Sequence, residues 1–329
     1  MNLTNFDTLL NEIQQLYQNG EYARALSLAA ESAPKFPEHG AMLYYWRISL
    51  LARLGDIPGA LQHLDEALGS GFWYGEVLLR RSPAWKPLQG LPEFERLVER
   101  NHALQAAEQA VLFPLLTLRP QGECGSNDLP CPLLIGLHGN TSTAQSELDY
   151  WKEAAGSGWL VAAPQSSQAV WKQAYVWDDL EITRAEILHH LASLKRQYAV
   201  DPSHMVIAGH SMGGEAAIWL ALTGAVEVRG FIAVAPGGPF LDEPGSWLPF
   251  IEQAKGRGLS GYFIAGEKDT KTSLKNVRIL MDMLTEAGIP SNLELIHGAG
   301  RDYAPEFASA VLRGLGFILE GEDSIEDQI

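Results

Sequence analysis

The six residues Gly209-His210-Ser211-Met212-Gly213-Gly214 follow directly on the apolar run Met205-Val206-Ile207-Ala208. Together they dictate a strand that turns abruptly into a helix. Glycines two residues on either side of Ser211 let the chain enter and leave the bend without a Cβ collision. The residues that follow, Glu215-Ala216-Ala217-Ile218-Trp219-Leu220-Ala221-Leu222, are the small and straight-chain types that suit a buried helix. A serine at such a bend carries its hydroxyl above the sheet edge, next to helix N-terminal amides that face developing negative charge. Glycine-x-serine-x-glycine alone is only moderately specific, since glycine and serine are common, and an ordinary turn is its alternative reading. The strand before it and the helix after it favour the chemical reading.

The chain has 329 residues, 46% of them apolar, which is enough for two domains, one with a large core. No run of eighteen apolar residues is present, and the stretch from Met1 to Glu12 is polar and acidic rather than a basic segment feeding an apolar one. The expectation is a cytoplasmic chain with neither a membrane span nor a signal peptide. A net charge of −16, with no local basic stripe, argues against binding nucleic acid or an anionic membrane. The two cysteines, Cys124 and Cys131, flank a predicted loop, where a short disulfide is geometrically conceivable. Without an export signal, two thiols are the favoured state, and two cysteines without a nearby histidine make a poor zinc site.

Residues 1–108 read as helical throughout and contain an internal echo. Gly20-Glu21-Tyr22 with Ala25-Leu26 returns 35 residues later as Gly55-Asp56-Ile57 with Ala60-Leu61. Pro37 stops the first unit, and Ala41 to Leu54 carries apolar residues at helical spacing. The pattern resembles the tetratricopeptide repeat over about two units, with Phe72 to Arg100 as a divergent cap. So short an array rarely buries enough surface to stand alone. It is expected to serve as a helical appendage or in self-association, rather than as a peptide-binding face.

From residue 109 to 329 short apolar runs alternate with helix-length segments, the signature of a parallel α/β sheet. Strands are predicted at Val111–Leu118, Leu133–Leu137, Leu160–Ala163, Met205–Ala208, Gly230–Ala235, Gly261–Ala265 and Leu293–Ile296. Helices are predicted at Glu181–Gln197, Gly214–Leu222, Thr272–Ala287 and Glu306–Ile318. The His189-His190 pair falls mid-helix, far from other ligand types, and reads as a surface or packing feature.

With these motifs in this order, residues 109–320 resemble the small α/β-hydrolases of the carboxylesterase and phospholipase type, or the dienelactone-hydrolase-like esterases. The resemblance implies a mostly parallel sheet with helices on both faces and a cofactor-independent hydrolysis of esters or thioesters, here of small or medium carboxylic esters through an acyl-enzyme. It implies Ser211 as nucleophile. Leu137-His138-Gly139-Asn140 is similar to the family's H-G-x element, which assigns the oxyanion to the amides of Asn140 and Met212. Ala265-Gly266-Glu267-Lys268-Asp269-Thr270 looks like the acid loop, with Asp269 at the acid position and the capping of a following helix as its alternative role.

The base position departs from the family. Aligned on Gly298-Ala299-Gly300, the place of the family histidine is taken by Arg301, and a guanidinium has no lone pair to offer at neutral pH. His297 is the histidine in the right neighbourhood, and the glycines beside it allow the loop to fold tightly. The other branch is an impaired hydrolase in which Arg301 pairs with Asp269 and the helical repeats bind a partner. Around the substrate, Trp177 and Arg301 are expected, with His138 as a strut beneath the oxyanion loop rather than a base. Trp171, Tyr175 and Trp177 either wall an acyl or alcohol pocket or serve as loop packing.

Overall fold

The computed structural model describes residues 5–109, 115–120, 124–126, 128–300 and 305–320. It divides into two units, Met1–Leu112 with Ala169–Ala174, and Phe113–Gln168 with Tyr175–Ile329.

The first unit is built from α1 (Phe6–Gln18), α2 (Tyr22–Ser32), α3 (Gly40–Leu54), α4 (Ile57–Gly69), α5 (Glu76–Arg81) and α6 (Pro92–Gln109). The sequence echo is a structural one. Gly20 at φ 77 and Gly55 at φ 81 end α1 and α3 in the left-handed region. In each case the next amide, Glu21 or Asp56, reaches back five residues to the carbonyl of Leu16 or Leu51, at 2.9 and 3.0 Å, satisfying helix-end acceptors. The acidic residue that follows differs in use. Asp56 caps α4 by accepting from the Gly59 amide, whereas Glu21 makes no side-chain cap. Ile48, Leu64, Tyr74, Trp85, Phe94 and Leu97 form the core of the unit. Within that core Trp85 Nε1 donates to Ser49 Oγ at 2.9 Å, and Asn101 bonds both backbone groups of Tyr74.

The second unit holds a sheet of seven strands among the described residues: β1 (Leu115–Leu118), β2 (Cys131–Leu137), β3 (Leu160–Pro164), β6 (Val200–His210), β7 (Gly230–Val234), β8 (Ser260–Gly266) and β9 (Ser291–Ile296). Their order is β1-β3-β2-β6-β7-β8-β9, and every neighbouring pair is parallel except β1 with β3. Two short strands, β4 (Ala169–Trp171) and β5 (Ala174–Tyr175), make a separate ladder. All seven predicted strands are present, although 111–114 of the first lie outside the described residues.

The helices divide between the two faces as the period-two alternation of the strands requires. Leu133, Ile135, Ile207, Phe231 and Phe263 point toward α9 (Leu180–Gln197), α10 (Met212–Leu222), α12 (Leu248–Ala254) and α13 (Leu274–Glu286). Leu134, Val206, Ile232 and Ile264 point toward α7 (Ala144–Tyr150), α8 (Lys152–Gly156) and α14 (Pro305–Glu320). The short helix α11 (Pro239–Asp242) follows β7. Every residue of α10 from Gly213 to Leu222 is buried, which explains its all-round apolar sequence.

One expectation is corrected. Cys124 and Cys131 form a disulfide, with Cα atoms 5.0 Å apart, instead of remaining two thiols. The Gly125 amide donates to Leu129 O at 2.8 Å and the Leu129 amide to Ser126 O at 3.1 Å, folding the loop back so that the sulfurs meet. No helix among the described residues is long and apolar enough to cross a membrane.

Candidate active site

Parallel strands deliver their carboxyl ends to one edge, and loops there are where open α/β sheets carry their chemistry. His138 follows β2, Gln165 and Ser166 follow β3, Ser211 follows β6, Asp269 lies beyond β8, and His297 follows β9.

Ser211 has φ 55 and ψ −120, a conformation that L residues adopt only when their surroundings impose it. The surroundings are backbone groups. The Ser211 amide donates to Val234 O at 2.9 Å, and the amides of Glu215 and Gly237 both donate to Ser211 O at 3.2 Å. A Cβ on Gly209 would overlap the Gly213 carbonyl, and one on Gly213 would overlap the carbonyl oxygens of Leu137 and His138. The two glycines therefore allow the bend to close and α10 to start directly against the end of β2. Met212, whose amide belongs to the first turn, opens that helix.

Beside the bend the His138–Asn140 segment is held from below. His138 is fully buried. Its Nδ1–H donates to Gly139 O at 2.9 Å, its Nε2 accepts from the Ser166 amide at 3.3 Å, and its carbonyl accepts from Trp177 Nε1 at 2.9 Å. Burial pulls its imidazole down to about 4 from the ordinary 6.5, so the ring is neutral at pH 7. Thr141 follows Asn140 at φ 56 and donates its hydroxyl to Asn140 O at 2.7 Å. This segment is a second strained point on the same edge.

A histidine kept neutral by folding binds its proton more readily in the unfolded chain. Its stabilising contribution is complete above pH 6.5 and is lost as pH falls toward 4. The stability advantage of the native chain over His138→Asn is expected to shrink by about 3 kcal/mol between pH 7 and pH 4. Urea unfolding of both proteins at the two pH values measures it, and parallel pH profiles contradict the assignment.

Asp269 is 8% exposed, and its Oδ1 accepts from the amides of Lys271 at 2.8 Å and Thr272 at 3.2 Å. It does not cap α13, whose cap is Ser273, accepting from the Asn276 amide. His297 has a side chain 93% exposed, with Nδ1 2.8 Å from Glu267 Oε2; the same oxygen accepts from the Gly298 amide at 3.1 Å. The structure thus joins His297 to Glu267. Arg301 lies outside the described residues. Trp177 is 2% exposed, its ring centroid 4.8 Å from that of His138. Trp171 falls in the first unit, on Tyr45.

Some members of this edge carried no sequence signal. Glu215, on the first turn of α10, accepts from the Leu241 amide at 2.8 Å and so holds α11; burial pushes its carboxyl up to about 7. Ser166 donates its hydroxyl to Val176 O at 2.6 Å. Away from the bend, a cavity of about 630 Å³ lies along α9, with Leu115, Ser167, Glu186, His189, His190 and Gln197 among its walls.

A mostly parallel sheet flanked by helices, with Ser211 at a strand-to-helix bend, is the architecture of the α/β-hydrolase fold. Residues 142–271 match the Esterase family ("Putative esterase"), a span that includes Ser211 and Asp269 and ends before His297. Residues 5–108 match the family "A/B hydrolase-like, N-terminal domain". Among solved structures, the chain is similar to an uncharacterized protein from Bacillus cereus ATCC 10987, with 22% identity, a TM-score of 0.53, and coverage of 96% of this chain and 99% of that one. A carboxylesterase from Mesorhizobium loti is 18% identical, with a TM-score of 0.50 over 62% of this chain and 98% of its own. Esterase PE8 is 16% identical, with a TM-score of 0.50 over 63% and 99% of the two chains. A comparison with curated protein sequences finds no match.

Proposed function

We propose that the chain is a serine esterase that hydrolyses small or medium carboxylic esters through an acyl-enzyme. The observation that carries this reading is the backbone of Ser211, held at φ 55 and ψ −120 at the carboxyl edge of the sheet. Such a conformation costs on the order of 1–3 kcal/mol and is retained where a function needs it. The match of residues 142–271 to an esterase family supports the same class of chemistry.

In this reading Ser211 Oγ attacks the ester carbonyl, and the amides of Asn140 and Met212 hold the oxyanion. His297 takes the serine proton through Nε2 and returns it to the leaving alcohol; water then releases the acyl group. To do so His297 exchanges Glu267 for Asp269 at Nδ1, a movement that Gly298, at φ 72, and Gly300 accommodate. In the same reading Trp177 and Arg301 contact the substrate, and His138 supports the oxyanion segment from below.

The exposure of His297 and its pairing with Glu267 favour a second reading, an impaired hydrolase whose helical unit binds a partner. Hydrolysis of p-nitrophenyl acetate and butyrate by the native chain, Ser211→Ala, His297→Ala and Arg301→His separates the two. Loss of turnover in His297→Ala by about 10⁴-fold or more supports the esterase. A native chain no faster than Ser211→Ala, with activity gained in Arg301→His, leaves the second reading.

A further inference from the structure

We infer that Glu215 is a positioning residue for Ser211, holding the segment that follows β7 against the strand-to-helix bend. Glu215 is the one charged residue of α10, whose other positions are apolar or glycine, and it is 4% exposed. A carboxylate in such a setting costs more than an apolar side chain of its size unless its hydrogen bonds are satisfied. Those bonds all serve the bend.

Two residues in the left-handed region meet here. Ser211, at φ 55, has its carbonyl gripped by the amides of Glu215 and Gly237, both at 3.2 Å. Ala235, at φ 43, donates its amide to Ile264 O at 2.7 Å, and Gly237 stands two residues further on. Backbone of this kind persists only where its surroundings over-determine it. The bond from Gly237 is therefore only as firm as the segment that carries it. Beyond Gly237 that segment is held by the Glu215 side chain. Oε2 accepts from the Leu241 amide at 2.8 Å, and the Phe240 backbone also favours the ionised carboxyl. Gly238 lies so close to the carboxylate that a Cβ there would overlap Oε1. At the far end of α11, Asn276 Nδ2 of α13 donates to Leu241 O at 3.0 Å and Asp242 O at 3.2 Å. A helix of four residues has too few bonds of its own to keep its place. Glu215 thus acts on the bend twice, through its amide on Ser211 O and through its carboxylate on the segment that brings Gly237 there. A misplacement of about 1 Å at the reacting group can cost about 10²-fold; this catalytic part of the inference rests on the esterase reading above.

The hold needs the ionised form. A carboxylate presents acceptors on both oxygens, whereas the neutral acid turns one of them into a donor facing backbone amides. Burial, joined by the charge of Asp242 on α11, pushes the Glu215 carboxyl from 4.5 up to about 7. The side chain that α13 contributes to the segment, Asn276, is uncharged. The segment is therefore expected to loosen as pH falls through 7. Stability moves the other way. Folding disfavours the charge of an acid whose folded value is raised, so the native chain loses stability relative to a neutral variant as pH rises from 4.5 to 7. A carboxylate kept only to stabilise the fold would show the reverse.

The test compares the full native chain with Glu215→Gln, which keeps the size of the side chain but offers one acceptor oxygen in place of two. At pH 8, hydrogen exchange of the amides at 237–242, corrected for intrinsic rate, is expected to rise about fivefold in the variant. On p-nitrophenyl butyrate kcat falls about tenfold, with KM within about twofold of native. Lowering the pH to 6 moves exchange in the native chain toward that of the variant and leaves the variant unchanged. Urea unfolding at pH 5 and pH 8 supplies the readout that a purely structural role would not give: the midpoint of Glu215→Gln rises relative to native as pH increases, and the opposite trend overturns the inference. Native exchange at 237–242 in the variant at pH 8 also overturns it, as does a native kcat in a variant whose segment exchanges faster. Should Glu215→Gln fail to fold, the native chain decides, since corrected exchange at 237–242 that is equal at pH 6 and pH 8 contradicts the hold. A native chain that hydrolyses neither ester removes the esterase reading, and the exchange comparison still decides whether Glu215 holds the segment.

Discussion

Ser211→Ala is expected to lower the turnover of p-nitrophenyl butyrate by about 10⁶-fold, while the protein stays folded. The size of the loss follows from the covalent route. Without Oγ there is no acyl-enzyme, and what remains is water attacking an ester held near the Asn140 and Met212 amides. That residual catalysis can still reach about 10³-fold over solution, so the comparison must be made against buffer as well as against the native chain. Alanine keeps the Cβ and leaves the backbone bonds to Val234 O, Glu215 and Gly237 in place. Removing the hydroxyl therefore tests chemistry rather than folding. Intact-mass measurement after mixing with substrate gives the complementary result: an adduct of one acyl group on the native protein and none on the variant. Equal rates for the two proteins would end the serine mechanism.

Gly213→Ala is expected to act on stability and activity together, with a loss of about 3 kcal/mol in unfolding free energy and at least about 10²-fold in kcat. The added Cβ overlaps the carbonyl oxygens of Leu137 and His138. Neither yields cheaply, because both belong to backbone at the end of the central part of the sheet, and the His138 carbonyl is also the acceptor for Trp177. Relief requires α10 to withdraw from β2, which moves the Met212 amide away from the Asn140 segment. Denaturant unfolding and steady-state kinetics on the same preparation measure both effects. Gly156→Ala is the control, since a Cβ there meets nothing within 4 Å. A Gly213→Ala protein as stable and as active as that control would contradict the close approach described at the bend.

The sheet was legible because its information is local. Apolar runs bounded by turn residues mark all seven strands, and the bend at Ser211 is written in two glycines that neighbour it in sequence. The helical character of the N-terminal third was legible from the same periodicity, and the repeated glycines proved to be matching helix ends. What depends on distant partners was not legible. The antiparallel sense of β1 is set by its partner β3, and α7, α8, α11 and α12 are too short to show a period. The support of the Asn140 segment joins His138 to residues 28 and 39 positions away, an association that no pattern within a motif encodes. Sequence proximity alone points to His297, and the contact that the structure gives it, to Glu267, arises because adjacent parallel strands β8 and β9 release their loops side by side. Redox setting points to two thiols at Cys124 and Cys131, whereas the fold of their own small loop brings the sulfurs together.

The visit of Ala169–Ala174 to the first unit bears on how this protein can be taken apart. A single cut near residue 110 yields no clean halves: one fragment loses the acceptor for the Gly75 amide, and the other carries the hairpin without the groups that receive it. Dissection of the two parts calls for replacing 169–174 by a short turn in one fragment and supplying it as a separate peptide to the other.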